Sequence, residues 1–86
     1  MKIEIPDELV VPIASAVDEW KYARAKHPGR YPSLHHAYGV LMEEVRELEV
    51  EVFKRRANRD HLETEALQII AVCLRTITEV NKPKKS

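Results

Sequence analysis

Residues 34–51, LHHAYGVLMEEVRELEVE, decide the fold, because their apolar residues recur at steps of three and four. That spacing places them along one side of an α-helix, which completes a turn every 3.6 residues. Ser33 directly precedes the stretch and is a typical N-cap residue, and we expect the helix to run to about Arg56. The predicted core stripe of this helix is Leu34, Tyr38, Leu41, Val45, Leu48 and Val52.

A first helix is predicted before this stretch. Asp7 looks like an N-cap, but Pro12 favours a regular helix that starts nearer residue 10. Pro28 and Gly29 then end the helix near His27. Its apolar stripe, Ile13, Val17 and Trp20 with Ala16 and Ala23, is expected to pack in the core.

A third helix follows a short link at residues 57–59, and Asp60 with Glu63 resembles a capping box at its start. The link predicts an antiparallel hairpin of the second and third helices. A helix that is apolar around so much of its circumference is buried on more than one side, so it should be central or lie in a subunit interface. Its apolar residues are Leu67, Ile69, Ile70, Val72, Cys73, Leu74, Ile77 and Val80.

The length of 86 residues predicts one all-α domain, residues 1–86, made of the helical hairpin and the N-terminal helix. A chain this short builds only a marginal core alone, so we expect it to associate into a four-helix-type bundle as an oligomer. Residues 1–8 are predicted to be a flexible lead-in and residues 82–86 a flexible tail.

Charge and apolar content exclude several classes of protein. Fourteen basic and fourteen acidic residues cancel, so neither nucleic acid nor an anionic membrane is an expected partner. No apolar run is long enough to span a bilayer and no signal pattern is present, which predicts a cytoplasmic protein. The single Cys73 excludes a disulfide framework and is expected to be a reduced core residue.

Two pairs of polar residues mark a candidate metal site. Glu44 and Glu47 share one face of the second helix, beside its apolar stripe, while Glu43 points further away. Glu65 and Gln68 have the same spacing on the third helix, and the hairpin should bring the pairs within roughly 6 Å of each other. Their oxygen atoms suit Mg²⁺. The alternative is a solvated acidic face, the commoner meaning of one such motif alone.

The pattern Glu43-Glu44-x-x-Glu47, the following Glu65-x-x-Gln68 and the apolar run ALQIIAVCLRTI after Glu65 resemble the MazG-like, all-α nucleoside triphosphate pyrophosphohydrolase superfamily. The resemblance covers about residues 33–78. It implies a dimer or tetramer that splits a nucleoside triphosphate into monophosphate and pyrophosphate with Mg²⁺ or Mn²⁺. It also implies that Glu44 and Glu47 are catalytic, that these two bind the metal together with Glu65 and Gln68, and that a metal-activated water attacks the α-phosphorus.

Gln68 stands where the family pattern has Asp. Its amide oxygen can coordinate a metal but brings no charge, which should weaken Mg²⁺ binding by about 2 kcal/mol. The alternative function is therefore a weakened or inactive relative that serves as a nucleotide-binding or protein-interaction module. A purely structural helical dimer is a third class. If Gln68 does not coordinate the metal, Glu51 or Glu63 could replace it as a metal ligand.

Three further residues are candidate substrate contacts. Lys54 shares a side of the second helix with Glu47 and could contact phosphate, and Lys21 on the first helix is another candidate. His61 continues the face of Glu65 and could be a metal ligand or a base.

Overall fold

The computed structural model describes residues 1–80, which form three α-helices and no strand. The helices are α1 (Asp7–Lys26), α2 (Leu34–Val52) and α3 (Arg59–Glu79). The all-α prediction is thus confirmed, whereas the predicted tail at residues 82–86 lies outside the described residues. None of these three helices combines the length and the apolar content needed to cross a membrane.

α3 lies between the other two helices, as its broad apolar surface predicts. α1 and α2 both pack against it, and no Cα atom of α1 lies within 8 Å of a Cα atom of α2. α1 runs parallel to α3, since Arg24 near its end reaches Glu79. α2 runs antiparallel, since Glu51 near its end binds the backbone of Asn58 just before α3. The result is a single layer of helices, 53 × 34 Å across and 19 Å thick.

α1 begins earlier than the sequence predicts. It starts at Asp7 with Pro6 as the N-cap residue, and the backbone N–H of Leu9 donates to the Pro6 carbonyl at 2.9 Å. Asp7 and Glu8 lie in the first turn, where acidic side chains stabilise the positive end of the helix dipole. The predicted lead-in is therefore shorter, at residues 1–6, and Pro12 lies inside the helix.

The turn between α2 and α3 also differs from the prediction. α2 ends at Val52 and not near Arg56, because the side chain of Glu51 accepts a hydrogen bond from the Asn58 N–H at 2.9 Å and draws the chain back. Ser33, by contrast, caps the start of α2 as predicted, accepting from the His36 N–H at 3.0 Å.

Asn58, and not Asp60, is the N-cap of α3. Its side-chain oxygen accepts from the backbone N–H groups of Asp60 at 2.8 Å and His61 at 3.2 Å. Glu63 pairs with Arg59 at 3.5 Å and does not reach back to form a capping box. The cap therefore lies two residues earlier than the pattern suggested.

The interior of one chain is small. Its buried apolar residues are Ala16, Tyr31, Ala37, Ala71 and Val72. The predicted core stripes are wrong in part, because eight of their members are exposed: Ile13, Val17, Leu34, Tyr38, Val52, Ile70, Cys73 and Ile77. On α2 the reason is the rotation of the helix, which turns toward α3 a face centred on Ala37, Glu44 and Glu51, roughly 80–100° from its apolar stripe. Trp20 is half-buried.

A buried ion pair fastens the α1–α2 linker to the end of α3. Arg75 donates from Nε to Glu79 Oε2 at 3.0 Å, and from Nη2 to the carbonyl oxygens of His27 at 2.9 Å and Gly29 at 2.8 Å. Its guanidinium carbon lies 4.6 Å from the ring centre of Tyr31. Because α1 and α2 lie on opposite sides of α3, the linker must cross the end of α3. Arg75 fixes that crossing.

Candidate functional site

Three carboxylates meet where α2 packs against α3. Glu44, Glu47 and Glu65 each offer one oxygen atom, and these atoms all lie within 4.8 Å of one another. Glu44 and Glu65 are half-buried, and Glu47 is exposed. The antiparallel hairpin brings the three together, since one turn of α2 faces one turn of α3. These three residues form the carboxylate cluster.

The carboxylate cluster is poorly stabilised without a cation. Burial, followed by the charge and hydrogen bonding of Glu47, raises the pKa of Glu44 from 4.5 to about 7. Burial also raises the pKa of Glu65, and a hydrogen bond with Glu47 adds to that shift. The cluster therefore retains a proton in the neutral pH range. A divalent cation could take the place of that proton.

Gln68 lies against the carboxylate cluster. Its amide is assigned with the nitrogen toward the carboxylates, because only this orientation pairs donors with acceptors. The nitrogen then donates to Glu44 Oε2 at 2.9 Å and to Glu65 Oε2 at 3.1 Å. In this conformation Gln68 stabilises the cluster as a neutral donor, and the amide would have to turn before its oxygen could coordinate a cation.

Glu51 and Glu63, the alternative ligands, lie outside the carboxylate cluster. Glu51 is buried at the hairpin turn, where it accepts from the Asn58 N–H at 2.9 Å and pairs with Lys54 at 2.7 Å. The hydrogen bond with Lys54, and next that with Asn58, lower the pKa of Glu51. Glu63 pairs with Arg59. Both carboxylates thus have partners elsewhere.

A cleft of about 320 Å³ opens beside the cluster at the hairpin end and is here called the hairpin cleft. Lys54 lines it together with Glu47 and Glu65, although its ammonium group pairs with Glu51. His61 has its Nδ1 atom 3.7 Å from Glu51 Oε1, so it belongs to the turn. Arg46, Val50 and Glu51 complete the lining.

A larger cleft of about 620 Å³ adjoins Glu44 on the other side and is here called the linker cleft. Tyr31 and Arg75 form a buried part of its wall. Sequence reasoning missed both, although Arg75 gave a signal as the one charged residue within the apolar run 69–77. Its main lining residues are Lys26, His27, Arg30, Tyr31, Glu44 and Arg75.

Lys26 is the lysine of α1 that borders these spaces. It lines the linker cleft and also a small cleft of about 140 Å³ that touches Gln68. Lys21 is exposed and lies roughly 160° around the helix from Ala23, which borders the same two clefts. The position of Lys21 therefore separates it from the carboxylate cluster.

Comparison of the chain with models of known protein families, with curated proteins and with solved structures found no match. What the chain does is therefore inferred from its own residues.

Proposed function

We propose that this protein is a Mg²⁺-dependent nucleoside triphosphate pyrophosphohydrolase, which converts an NTP or dNTP to the monophosphate and pyrophosphate, as the resemblance to the MazG-like superfamily implies. The observation that carries the proposal is the convergence of Glu44, Glu47 and Glu65, with pKa values raised at Glu44 and Glu65. Several carboxylate oxygens at one point suit a hard cation, which keeps water and phosphate oxygens in its other positions.

In the proposed site, Glu44, Glu47 and Glu65 would hold Mg²⁺ or Mn²⁺, and Gln68 would join them through its amide oxygen. When bound, the cation would polarise the α-phosphate and lower the pKa of the water that attacks the α-phosphorus. The donor set fits such an ion, because Glu44, Glu47 and Glu65 bring carboxylate oxygens together and Gln68 carries an amide oxygen beside them.

The two clefts offer room for the two ends of the substrate. The linker cleft, at about 620 Å³, is in the usual size range for small-molecule sites and would accept the nucleoside. The hairpin cleft, with Arg46 and Lys54, would accept the leaving pyrophosphate. Glu44 borders the first cleft, and Glu47 and Glu65 border the second, so the α-phosphate would lie at the carboxylate cluster.

The second candidate is a weakened or inactive relative that binds nucleotide or another protein. It is favoured by the hydrogen bonds from Gln68 to Glu44 and Glu65. These hydrogen bonds from a neutral amide offset part of the repulsion between the carboxylates, which a cation would otherwise offset. The cluster can therefore be stable without metal. For either candidate we propose a homo-oligomer, dimer or tetramer, in which the helical hairpin contributes to a four-helix-type bundle.

A product assay tests the first candidate. The protein is incubated with a panel of NTPs and dNTPs and with Mg²⁺ or Mn²⁺, and monophosphate and pyrophosphate are quantified. We expect the two in equal amounts, and we expect Glu47→Gln to abolish both. Glu49→Gln is the matched control, because Glu49 is an exposed acid on the same helix outside the cluster.

Other outcomes separate the candidates. Orthophosphate as product contradicts the pyrophosphohydrolase, and activity that survives in Glu47→Gln contradicts the assignment of Glu47 to its site. No product, together with thermal stabilisation by nucleotide and metal that Glu47→Gln removes, supports the binding module. If neither product nor thermal stabilisation is observed, the remaining candidate is the purely structural helical assembly.

A further inference from the structure

The helical layer has two unlike faces. One face carries the carboxylate cluster and borders the linker cleft. The other exposes apolar side chains from α2 and α3, and is here called the apolar face. Its most exposed members are Leu34, Tyr38, Val52, Ile70, Cys73 and Ile77.

Helical geometry places the apolar face away from the cluster. The three members on α3 lie roughly 140–180° around the helix axis from Gln68. The three members on α2 lie roughly 80–120° from Glu44, on the side opposite to Glu47. Both helices therefore turn their apolar sides to the same side of the layer, and nothing in the described chain covers them.

The chain also exposes more surface than a compact protein of its mass. Its accessible surface is 7373 Å² at 10.0 kDa, whereas a folded monomer of that mass exposes about 5,200 Å². The excess of about 2,000 Å² is larger than the roughly 800 Å² that each partner buries in a stable interface. The exposed residues 1–6 and the thinness of the helical layer, 19 Å, both contribute to this excess. Stable domains enclose a core between at least two layers, and the apolar face has no second layer within the described residues.

We infer that the apolar face packs against the same face of a second copy of this chain. A second copy supplies a layer of equal size, and identical faces can pair about a two-fold axis. The formal net charge of zero removes net repulsion between the copies. α2 and α3 of both copies would form a four-helix bundle, with the carboxylate clusters on its outer surfaces.

This inference specifies the interface of the oligomer proposed above and does not rest on the catalytic proposal. Sedimentation equilibrium of the full chain, without nucleotide or metal, therefore tests it separately. Tyr38 and Ile77 are 64% and 72% exposed in one copy, so Tyr38→Glu and Ile77→Glu should leave each protomer intact. Val50→Glu is the matched control, because Val50 is 62% exposed on α2 but borders the hairpin cleft.

We expect the unaltered chain to be a dimer, or a larger assembly of dimers. Tyr38→Glu and Ile77→Glu should raise the dissociation constant at least about 100-fold, since each would bury a charge in the interface. Val50→Glu should change it less than about threefold. If Tyr38→Glu unfolds by circular dichroism while Val50→Glu remains a folded dimer, the inference is also supported, because only the partner buries Tyr38.

Cys73 provides a second measurement on the unaltered chain. It is the only cysteine, it lies in the apolar face, and it is exposed in one copy. Its reaction with a thiol reagent should slow at least about tenfold as the protein concentration rises above the dissociation constant. A chain that stays monomeric, a dimer that Tyr38→Glu and Val50→Glu weaken equally, or a Cys73 reaction rate independent of concentration would overturn the inference. So would a monomer whose apolar face binds only lipid vesicles.

Discussion

The side-chain amide of Gln68 donates a hydrogen bond to Glu44 Oε2 at 2.9 Å, although a carboxylate at position 68 would complete a stronger cation site. Glu44 is also the residue whose pKa is raised to about 7. One neutral side chain therefore relieves the repulsion in the metal-free cluster while it withholds a charge from any bound metal. In the proposed metal site, the balance between these two effects would decide whether the carboxylates hold a cation.

Gln68→Asp should strengthen metal binding and weaken the metal-free protein. The added charge should raise the affinity for Mg²⁺ about 30-fold, the equivalent of about 2 kcal/mol. Without metal, a further carboxylate beside Glu44 and Glu65 should lower the melting temperature. Calorimetric titration with Mg²⁺ measures the first effect and thermal unfolding in chelator the second. Gln68→Asn, which adds no charge, is the control, and an affinity in Gln68→Asp no higher than in the unaltered chain would argue against a metal site.

The metal-free protein should lose stability as the pH rises from about 4.5 to about 7. The folded state raises the pKa of Glu44 from 4.5 to about 7, so over this range the unfolded chain releases a proton that the folded chain retains. The loss of stability from ionising Glu44 in the folded state is absent below pH 4.5 and complete above pH 7. Melting temperatures measured in chelator should follow this slope.

Glu44→Gln should flatten that slope, because the amide does not titrate. Saturating Mg²⁺ should also remove the loss, since the metal binds the ionised carboxylates. A slope that is identical in Glu44→Gln would assign the pH dependence to other groups.

Arg75→Ala should be strongly destabilising. The change would leave the Glu79 carboxylate buried without its closest cation and would release the linker carbonyls, at a cost of about 3–5 kcal/mol. Arg59→Ala removes an arginine with the same i,i+4 spacing to its glutamate, but that pair is exposed and should contribute less than about 1 kcal/mol. Urea unfolding at one fixed protein concentration compares them, and equal costs would mean that Arg75 does not fasten the linker.

Asn58→Ala should cost about 1 kcal/mol, because its side chain accepts from two backbone N–H groups at the start of α3. Asp60→Ala should cost about 0.3–1 kcal/mol, since Asp60 acts only through the helix dipole. Urea unfolding of the two variants shows which one loses more free energy of unfolding. A larger loss in Asp60→Ala would restore Asp60 as the cap that the sequence suggested.

The local features of the fold were predictable from the sequence. Apolar spacing identified three helices, and Ser33 marked the start of α2. The spacing of Glu44, Glu47 and Glu65 on a hairpin also anticipated their approach, because helical periodicity and a short turn fix it. The limits of α2 and α3 were less predictable, since they depend on where the Glu51 side chain meets the Asn58 backbone.

The direction in which α2 faces could not be read from its apolar stripe. Leu34, Tyr38 and Val52 were expected in the core, yet α2 presents Ala37 and Glu44 to α3 instead. Periodicity shows which side of a helix avoids water, but it does not say whether the cover comes from the same chain. The wall of Tyr31 and Arg75 was missed for a related reason, because it depends on the path of the linker.

The separation of the α1 backbone from that of α2 has a consequence for how the chain reaches its native state. α1 is synthesised before α2 but its backbone packs against that of α3, which follows α2 in the chain, and 48 residues separate His27 from its hydrogen-bond donor Arg75. On the ribosome, α1 must therefore wait until α3 has emerged before it finds its native neighbour. The α2–α3 hairpin can close locally, whereas the docking of α1 is the long-range step, and such steps slow folding.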